Sequence, residues 1–164
     1  MQLKHILLAS HGTQGARAAE GAAIALAREN GARMTLLYIV PDFWRGMRGD
    51  DWLNNAITQE AFGDYLESQL LLEARKETRR IAENASENGI DITIRAMFGK
   101  PTECLIATAG EIAPDLIVLG APRPRGMPGY RSRIYLETVA RAVPCSLLIV
   151  PHPYAEHGLA RAQA

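Results

Sequence analysis

Residues 115–120 read Asp-Leu-Ile-Val-Leu-Gly, and no other segment of the chain predicts a buried strand as strongly. The run of apolar residues, preceded by Pro114 and ended by Gly120, is typical of a strand buried on both faces. Such strands belong to parallel sheets, because helices cover both sides of these sheets. Residues 116–120 therefore predict an inner strand of a parallel α/β sheet.

Similar apolar runs alternate with helical patterns on both sides of this segment. The further predicted strands cover residues 3–10, 34–40, 90–98 and 146–150, and the predicted helices cover residues 15–30, 59–88, 103–113 and 133–142. This alternation predicts an α/β fold, an open doubly wound sheet of five parallel strands with helices on both faces. Residues 1–151 then form one domain, and residues 152–164, which lack a core pattern, form a flexible C-terminal tail.

One long connection interrupts the alternation. Residues 42–58 have no helical or strand period and contain both tryptophans, Trp44 and Trp52. We interpret this segment as an irregular connection that packs against the domain. A cap over the mouth of a ligand site is the alternative interpretation.

The composition excludes several classes of protein. The 164 residues contain 18 Lys+Arg and 18 Asp+Glu, so there is no global positive field, and a basic nucleic-acid binder is not expected. The two cysteines, Cys104 and Cys145, are too few and too distant in sequence for a disulfide framework or a metal site. No apolar run approaches the ~20 residues of a membrane span. These features predict a cytoplasmic protein without membrane insertion.

Ligands of open α/β sheets bind beyond the carboxyl ends of the strands, near the point where the strand order reverses. The segments expected there are His11-Gly12-Thr13, the end of the second strand at Ile39, and the loop that begins at Gly120. Neither of the common phosphate-binding glycine motifs occurs, and no acidic residue lies in the local segment of His11 to orient it as the base of a catalytic pair with Ser10 or Thr13. The sequence therefore gives little support for an enzyme, although an enzyme on this scaffold stays a third hypothesis.

Several segments together resemble the universal stress protein family, a group with an adenine nucleotide alpha-hydrolase-like fold. The similarity covers about residues 2–151 and rests on segments in a fixed order: residues 6–9 with Gly12-Thr13, residues 36–41, Gly99-Lys100-Pro101, residues 115–120 and residues 143–150. The resemblance implies a UspA-like stress-response or regulatory binding module. It also implies a homodimer formed through the edge strand at residues 146–150, which would cover an exposed apolar edge.

The chain departs from the pattern of the family's ATP-binding members. Those members have an aspartate after the first strand, where this chain has His11, and a G-x2-G-x9-G-[S/T] motif after the fourth strand. Gly120 matches the first position of that motif, but Arg123, Arg133 and Ile134 occupy the other three. The motif glycines let backbone amides close around phosphates, so their loss argues against ATP binding in the family's usual mode.

Arginines stand where those glycines are missing. Between residues 116 and 136 the chain has four arginines and no acidic residue, and guanidinium groups bind phosphates and carboxylates by paired hydrogen bonds. A solvated loop that meets a partner is the simpler interpretation. The alternative is a site for an adenine nucleotide or another anion, with these candidate residues: His11, Gly12, Thr13, Ile39, Gly120, Arg123, Arg125 and Arg133.

The resulting prediction is a universal stress protein-like binding module that has no catalytic residue, no metal and no expected cofactor. The alternative is an ATP- or AMP-type nucleotide-binding protein, with or without slow ATPase activity. A protein partner, such as a transporter or a regulator, is expected but is not identified by any residue.

Overall fold

The computed structural model describes residues 2–11, 13–40, 56–128 and 133–153, with the side chains of residues 56–66 left out. The elements are β1 (His5–Ser10), α1 (Gln14–Asn30), β2 (Arg33–Val40), α2 (Ala56–Glu87), β3 (Ile92–Phe98), α3 (Pro101–Ile112), β4 (Leu116–Gly120), α4 (Leu136–Ala142) and β5 (Ser146–Val150).

All strands lie in one parallel sheet with the order β3-β2-β1-β4-β5. The strand order reverses between β1 and β4, which are direct neighbours. Helices α1 and α2 cover one face of the sheet over an apolar layer that includes Leu8, Leu36 and Val118, whereas α3 and α4 cover the other face over Leu7, Leu37 and Ile117. The predicted five-stranded doubly wound α/β sheet is therefore confirmed.

The inner strands β1, β2 and β4 are mostly apolar, as the pattern predicts, because both of their faces are covered. Every residue of β1 is buried, and so are the first four residues of β4. The edge strands β3 and β5 are only partly covered, and Ile94 and Phe98 of β3 remain 42% and 37% exposed. The sheet thus has two open edges, of which β5 is the one predicted for dimer formation.

Two predicted helix starts are wrong by three residues, the largest differences between predicted and observed bounds. Helix α2 begins at Ala56, so the last residues of the connection predicted over 42–58 are helical, while residues 41–55 with both tryptophans lie outside the described residues. Helix α4 begins at Leu136 instead of residue 133. The hydroxyl of Thr102 donates to the Arg133 carbonyl at 3.1 Å and accepts from the Tyr135 amide at 2.9 Å, and these bonds hold residues 133–135 outside the helix.

Polar groups close the end of the sheet where the strands begin. Asp115 accepts hydrogen bonds from the backbone amides of Lys4 and His5 at 2.8 and 2.9 Å, and these bonds lower the pKa of its carboxyl. The His5 ring lies 2.8 Å from the Thr35 hydroxyl, and Arg33 donates to Nδ1 of that ring at 3.3 Å. Since Nδ1 accepts, Nε2 carries the proton and donates to Thr35.

No helix among the described residues has the length and apolar character needed to cross a membrane.

Candidate functional site

The predicted site residues gather at the carboxyl ends of β1, β2 and β4. His11 and Thr13 follow β1, Gly120 ends β4, and Ile39 is the penultimate residue of β2. Because β1 and β4 are neighbours at the reversal of strand order, His11 and Gly120 line the same pocket. Gly12 lies outside the described residues.

Helix α1 begins at this pocket, and Thr13 fixes its first turn. The Thr13 hydroxyl accepts a hydrogen bond from the Ala16 amide at 3.3 Å, as a threonine at this position usually does. The Thr13 side chain is therefore engaged in starting the helix.

Gly120 brings β4 into direct backbone contact with the first turn of α1. A Cβ atom placed on Gly120 would lie 2.5 Å from the Gly15 carbonyl carbon and 2.9 Å from the Ala16 nitrogen. Only glycine fits at this distance, so the matched motif glycine has a packing role in this chain.

The pocket at this point is very small. It is lined by Ala9, His11, Ala16, Leu119, Gly120, Pro122, Ile134 and Leu136, and its volume is about 10 Å³. A single water molecule needs at least roughly that volume, whereas ligand pockets measure about 300–1,000 Å³. The described residues that line it are apolar apart from His11, so the pocket offers little volume and few polar groups.

Ile134 has the clearest part in closing this pocket. It occupies the motif position of the family's serine or threonine, and here it packs with Leu136 against the apolar layer under α3 and α4. Ile39 belongs to the same layer and is 6% exposed. Both residues are therefore parts of the core in this structure.

His11 is the polar side chain that lines the pocket, and it is half-buried. Burial lowers the pKa of its imidazole below the ordinary value, so the neutral ring is favoured at pH 7. A neutral ring supplies no charge for an anionic ligand at this position.

None of the arginines that the structure describes in the β4–α4 connection lines the pocket. The Arg123 guanidinium donates to the Met127 carbonyl within its own loop, whereas the side chains of Arg125 and Arg133 are exposed. Pro122 and Ile134 line the same pocket. Arg123 and Arg133, which are adjacent to them in sequence, therefore have their backbones near this pocket. Arg131 lies outside the described residues.

The burial of His152 was not predicted from the sequence. This residue of the predicted tail is 8% exposed and lies against the first turn of α1, with its Cδ2 atom 3.2 Å from the position of a Cβ on Gly15. The chain after β5 therefore packs onto the domain at least as far as His152. Residues 154–164 lie outside the described residues.

A buried ionic cluster on the opposite face of the sheet was also missed. Ser10, the last residue of β1, donates to Glu20 of α1 at 2.6 Å, and Glu20 binds Arg80 of α2 at 2.7 Å. Arg80 also binds Glu77 at 2.9 Å, and Arg17 lies 3.6 Å from Glu77. The cluster ties β1, α1 and α2 together.

Both carboxylates of this cluster are nearly inaccessible. Glu20 is 3% exposed and Glu77 is 6% exposed. Burial alone would lower the pKa of the Arg80 guanidinium, but its hydrogen bonds to the two carboxylates outweigh burial and raise that pKa. Arg80 therefore stays charged and balances the two acids. No group of three or more His, Cys, Asp or Glu side chains in the described part of the chain is arranged to hold a metal ion.

The family model of the universal stress protein family matches residues 2–151, which is nearly the whole chain. The chain belongs to the universal stress protein family. A comparison with curated protein sequences gives no match.

Solved structures of this family have the same fold. The universal stress protein UspA from Lactobacillus plantarum has a TM-score of 0.72 and 20% identity, with 92% of this chain and 99% of that chain covered. A family protein from Arabidopsis thaliana with AMP bound has a TM-score of 0.63 and 14% identity, with 93% and 94% covered. A universal stress protein in complex with cAMP has a TM-score of 0.57 and 17% identity, with 93% and 99% covered.

Proposed function

We propose that this universal stress protein is a non-catalytic binding module that does not hold ATP in the manner of the family's nucleotide-binding members. The observation that carries this proposal is the pocket of about 10 Å³ at the reversal of strand order. In place of glycines and a hydroxyl, the chain has arginines and Ile134, and the isoleucine is packed into the core. A phosphate chain would have to displace that side chain before reaching a backbone amide.

The nucleotide content of the purified protein tests this proposal. We expect chromatography of the denatured protein to detect only traces of adenine nucleotide. About one nucleotide per chain would contradict the proposal. The variant R123G/R133G/I134S restores the family's motif, and we expect it to gain a thermal shift with ATP that the natural sequence lacks. An equal shift in both proteins would mean that the replaced positions do not exclude ATP.

A second candidate function is the binding of a small anion or an adenine nucleotide by the arginine side chains. It is favoured by the exposure of Arg125 and Arg133 beside the pocket, and by the family structures that contain AMP and cAMP. Such a ligand would lie on the surface of the loop, outside the closed pocket. AMP, cAMP and inorganic phosphate should then raise the melting temperature of the natural protein, and R125A/R133A should abolish the shift.

We further propose that the module works in the cytoplasm as a homodimer that pairs β5 with β5 of a second copy. In support, β5 forms an open edge of the sheet, and its last four residues are only half-buried in the single chain. Sedimentation at micromolar concentration should give twice the 17.9 kDa mass of one chain. A strict monomer would contradict the dimer.

A further inference from the structure

The outer edge of β3 carries exposed apolar side chains. Four large hydrophobic side chains are exposed among the described residues, and two of them, Ile94 and Phe98, belong to this strand of seven residues. Ala96 between them is also exposed. Strand β5, at the other edge of the sheet, has no exposed large hydrophobic side chain. The edge at β3 is therefore the more apolar of the two open edges.

The hydrogen bonds of β3 show which of its backbone groups point outward. The Asp91 carbonyl accepts from the Met34 amide of β2 at 2.8 Å, and the Gly99 amide donates to the Val40 carbonyl of β2 at 3.1 Å. Because successive residues of a strand direct their backbone groups to alternate sides, the odd-numbered residues of 91–99 bond to β2. The even-numbered residues, which include those with exposed side chains, therefore direct their N–H and C=O groups away from the sheet.

The even-numbered residues also share one face of the sheet. Ile92 packs against the apolar layer under α1 and α2, so the side chains of Ile94, Ala96 and Phe98 project to the same face. Among the described residues, only the Cys104 thiol approaches an outward backbone group of these three, at 3.9 Å from the Phe98 carbonyl. The same three residues therefore supply open backbone groups for a further strand and apolar side chains that can contact it.

No free charge on β3 protects this edge. Edge strands often carry a lysine or another charged residue that prevents pairing with a further strand. The one charged residue of β3 is Arg95, and it binds Glu111 of α3 at 2.7 Å. Its side chain therefore lies on the face opposite the exposed apolar row, where an acid neutralises it.

We propose that β3 pairs in antiparallel orientation with β3 of a second copy of this chain, centred on Ala96. A twofold axis at this position sets Ala96 opposite Ala96, and it sets Ile94 opposite Phe98 of the other copy on both sides. An aromatic residue opposite a β-branched residue is a favourable cross-strand pair. The charges agree as well, because Asp91 before the strand comes next to Lys100 after the strand of the other copy. The edge is thus complementary to itself, as a twofold interface requires.

This interface is small, so association through it is weak. One pair of strands of seven residues buries less surface than the roughly 1,200–2,000 Å² of stable interfaces. The contact is separate from β5, which lies at the other edge of the sheet. If β5 pairs as proposed above, each dimer ends in β3 on both sides, and dimers then join end to end as the concentration rises.

Sedimentation velocity of the full-length protein at two concentrations tests this proposal. We expect the average mass to rise about twofold or more between about 5 µM and about 500 µM, because association follows mass action. I94K/F98K places charges in the apolar row and should abolish this rise. A96P removes only an outward N–H group, so it should keep the fold and also abolish the rise.

The matched control is Y135K, because Tyr135 is 69% exposed but lies on the β4–α4 connection and not on β3. Y135K should leave the rise in mass unchanged. An equal loss in Y135K and in I94K/F98K would overturn the proposal. A natural protein whose mass stays constant between the two concentrations would also overturn it, and would leave the open edge to a strand of a different protein.

Cysteine cross-linking tests the register. Opposite residues of a hydrogen-bonded antiparallel pair have Cα atoms about 5.5 Å apart, within the range of a disulfide. A96C should therefore form an intermolecular disulfide under mild oxidation. T93C is the control, because Thr93 is also exposed but its two copies would lie about 20 Å apart along the strands. Equal cross-linking of A96C and T93C would overturn the register.

The failure of this proposal can be told apart from the failure of the proposed function. The nucleotide content and the ATP response of the motif variant do not depend on β3. At about 5 µM, I94K/F98K should keep the mass of the β5 dimer, since weak association through β3 is not populated there. A monomeric I94K/F98K at that concentration would support pairing through β3 and contradict the dimer at β5.

Discussion

At the end of β1, charged side chains pack on one face of the sheet and apolar side chains pack on the other. Ser10 points to the face of α1 and α2, where it binds Glu20 of a buried ionic cluster. Its neighbours Ala9 and His11 line the pocket on the other face, where Ile134 packs against the apolar layer. Consecutive residues of one strand thus meet a buried network of charges on one side and a nearly dry core on the other.

This difference separates charge from the expected site of ligand binding. The face that contains the pocket is packed as a core, with a neutral histidine favoured at its rim. The charges that the fold buries join two helices on the opposite face. The buried ionic groups among the described residues therefore attach helices to the sheet.

The largest effect is expected at Gly120, where β4 meets the first turn of α1. G120A would place a Cβ atom 2.5 Å from the Gly15 carbonyl carbon, so backbone has to move, and we expect the free energy of unfolding to fall by about 4 kcal/mol. Denaturant unfolding of G120A and of the natural protein measures this loss of stability. G110A is the control, because nothing lies within 4 Å of a Cβ on Gly110, and it should stabilise the protein by about 0.5–1 kcal/mol. Similar results for both variants would contradict the close contact.

A smaller loss is expected when the ionic cluster loses its shared cation. R80M leaves Glu20 and Glu77 buried without their main counter-charge, and the free energy of unfolding should fall by about 2–3 kcal/mol, reduced because Arg80 is 38% exposed. The adjacent Arg79 is 82% exposed, and its ion pair with Glu83 is long at 3.9 Å. R79M should therefore change stability by less than about 0.5 kcal/mol. An unchanged free energy of unfolding in R80M would mean that the cluster does not attach α2.

The apolar packing on the face that contains the pocket predicts a loss of stability when Ile134 is truncated. I134A removes part of a half-buried side chain from the core, and we expect about 1–2 kcal/mol of destabilisation in thermal or denaturant unfolding. I94A makes the same chemical change on the edge strand β3, where the side chain is 42% exposed, and should have less than half that effect. A larger loss in I94A than in I134A would argue that Ile134 does not close the pocket.

The smallest effect is a pH dependence at the opposite end of the sheet. Burial, together with the Arg33 guanidinium, lowers the pKa of His5, and the opposing influence of Asp115 is weaker. The unfolded chain therefore binds the proton more readily. Stability from His5 is complete above about pH 6.5, the ordinary histidine value, and decreases as the pH falls towards the pKa of the folded state.

The comparison of the natural protein with H5Q between pH 7.5 and 5.5 measures this contribution. The natural protein should lose more stability than H5Q as the pH falls. The protonation of Asp115, whose pKa is also lowered, affects stability only in a more acidic range. A difference between the two proteins that stays constant with pH would contradict the assignment to His5.

The parallel sheet was predictable because its strands form continuous apolar runs. The inner strand β4 at residues 116–120 and the edge strand β5 at residues 146–150 both have the bounds predicted from those runs. The Thr102 hydrogen bonds that delay α4 join residues more than 30 positions apart, and no local pattern reports them. For the same reason no local pattern reports the ionic cluster, since Arg80 and Glu77 are near neighbours but Glu20 lies 60 residues before Arg80.

The candidate site was predictable in position and less so in chemistry. Parallel strands place His11 and Gly120 at the same end of the sheet, and the structure brings both to one pocket. The sequence also identified Ile134 as a departure from the motif. That its side chain lines the pocket and packs against the apolar layer depends on the distance between β4 and the start of α4, which no one-dimensional pattern contains.

Isothermal titration of the natural protein with magnesium ATP tests the central claim most directly. A closed pocket at the reversal of strand order predicts no saturable heat up to millimolar ATP, and an unchanged result in R125A/R133A. Saturable binding of one ATP per chain with a micromolar Kd that persists in R125A/R133A would contradict the claim that Ile134 and its neighbours exclude the nucleotide from this site.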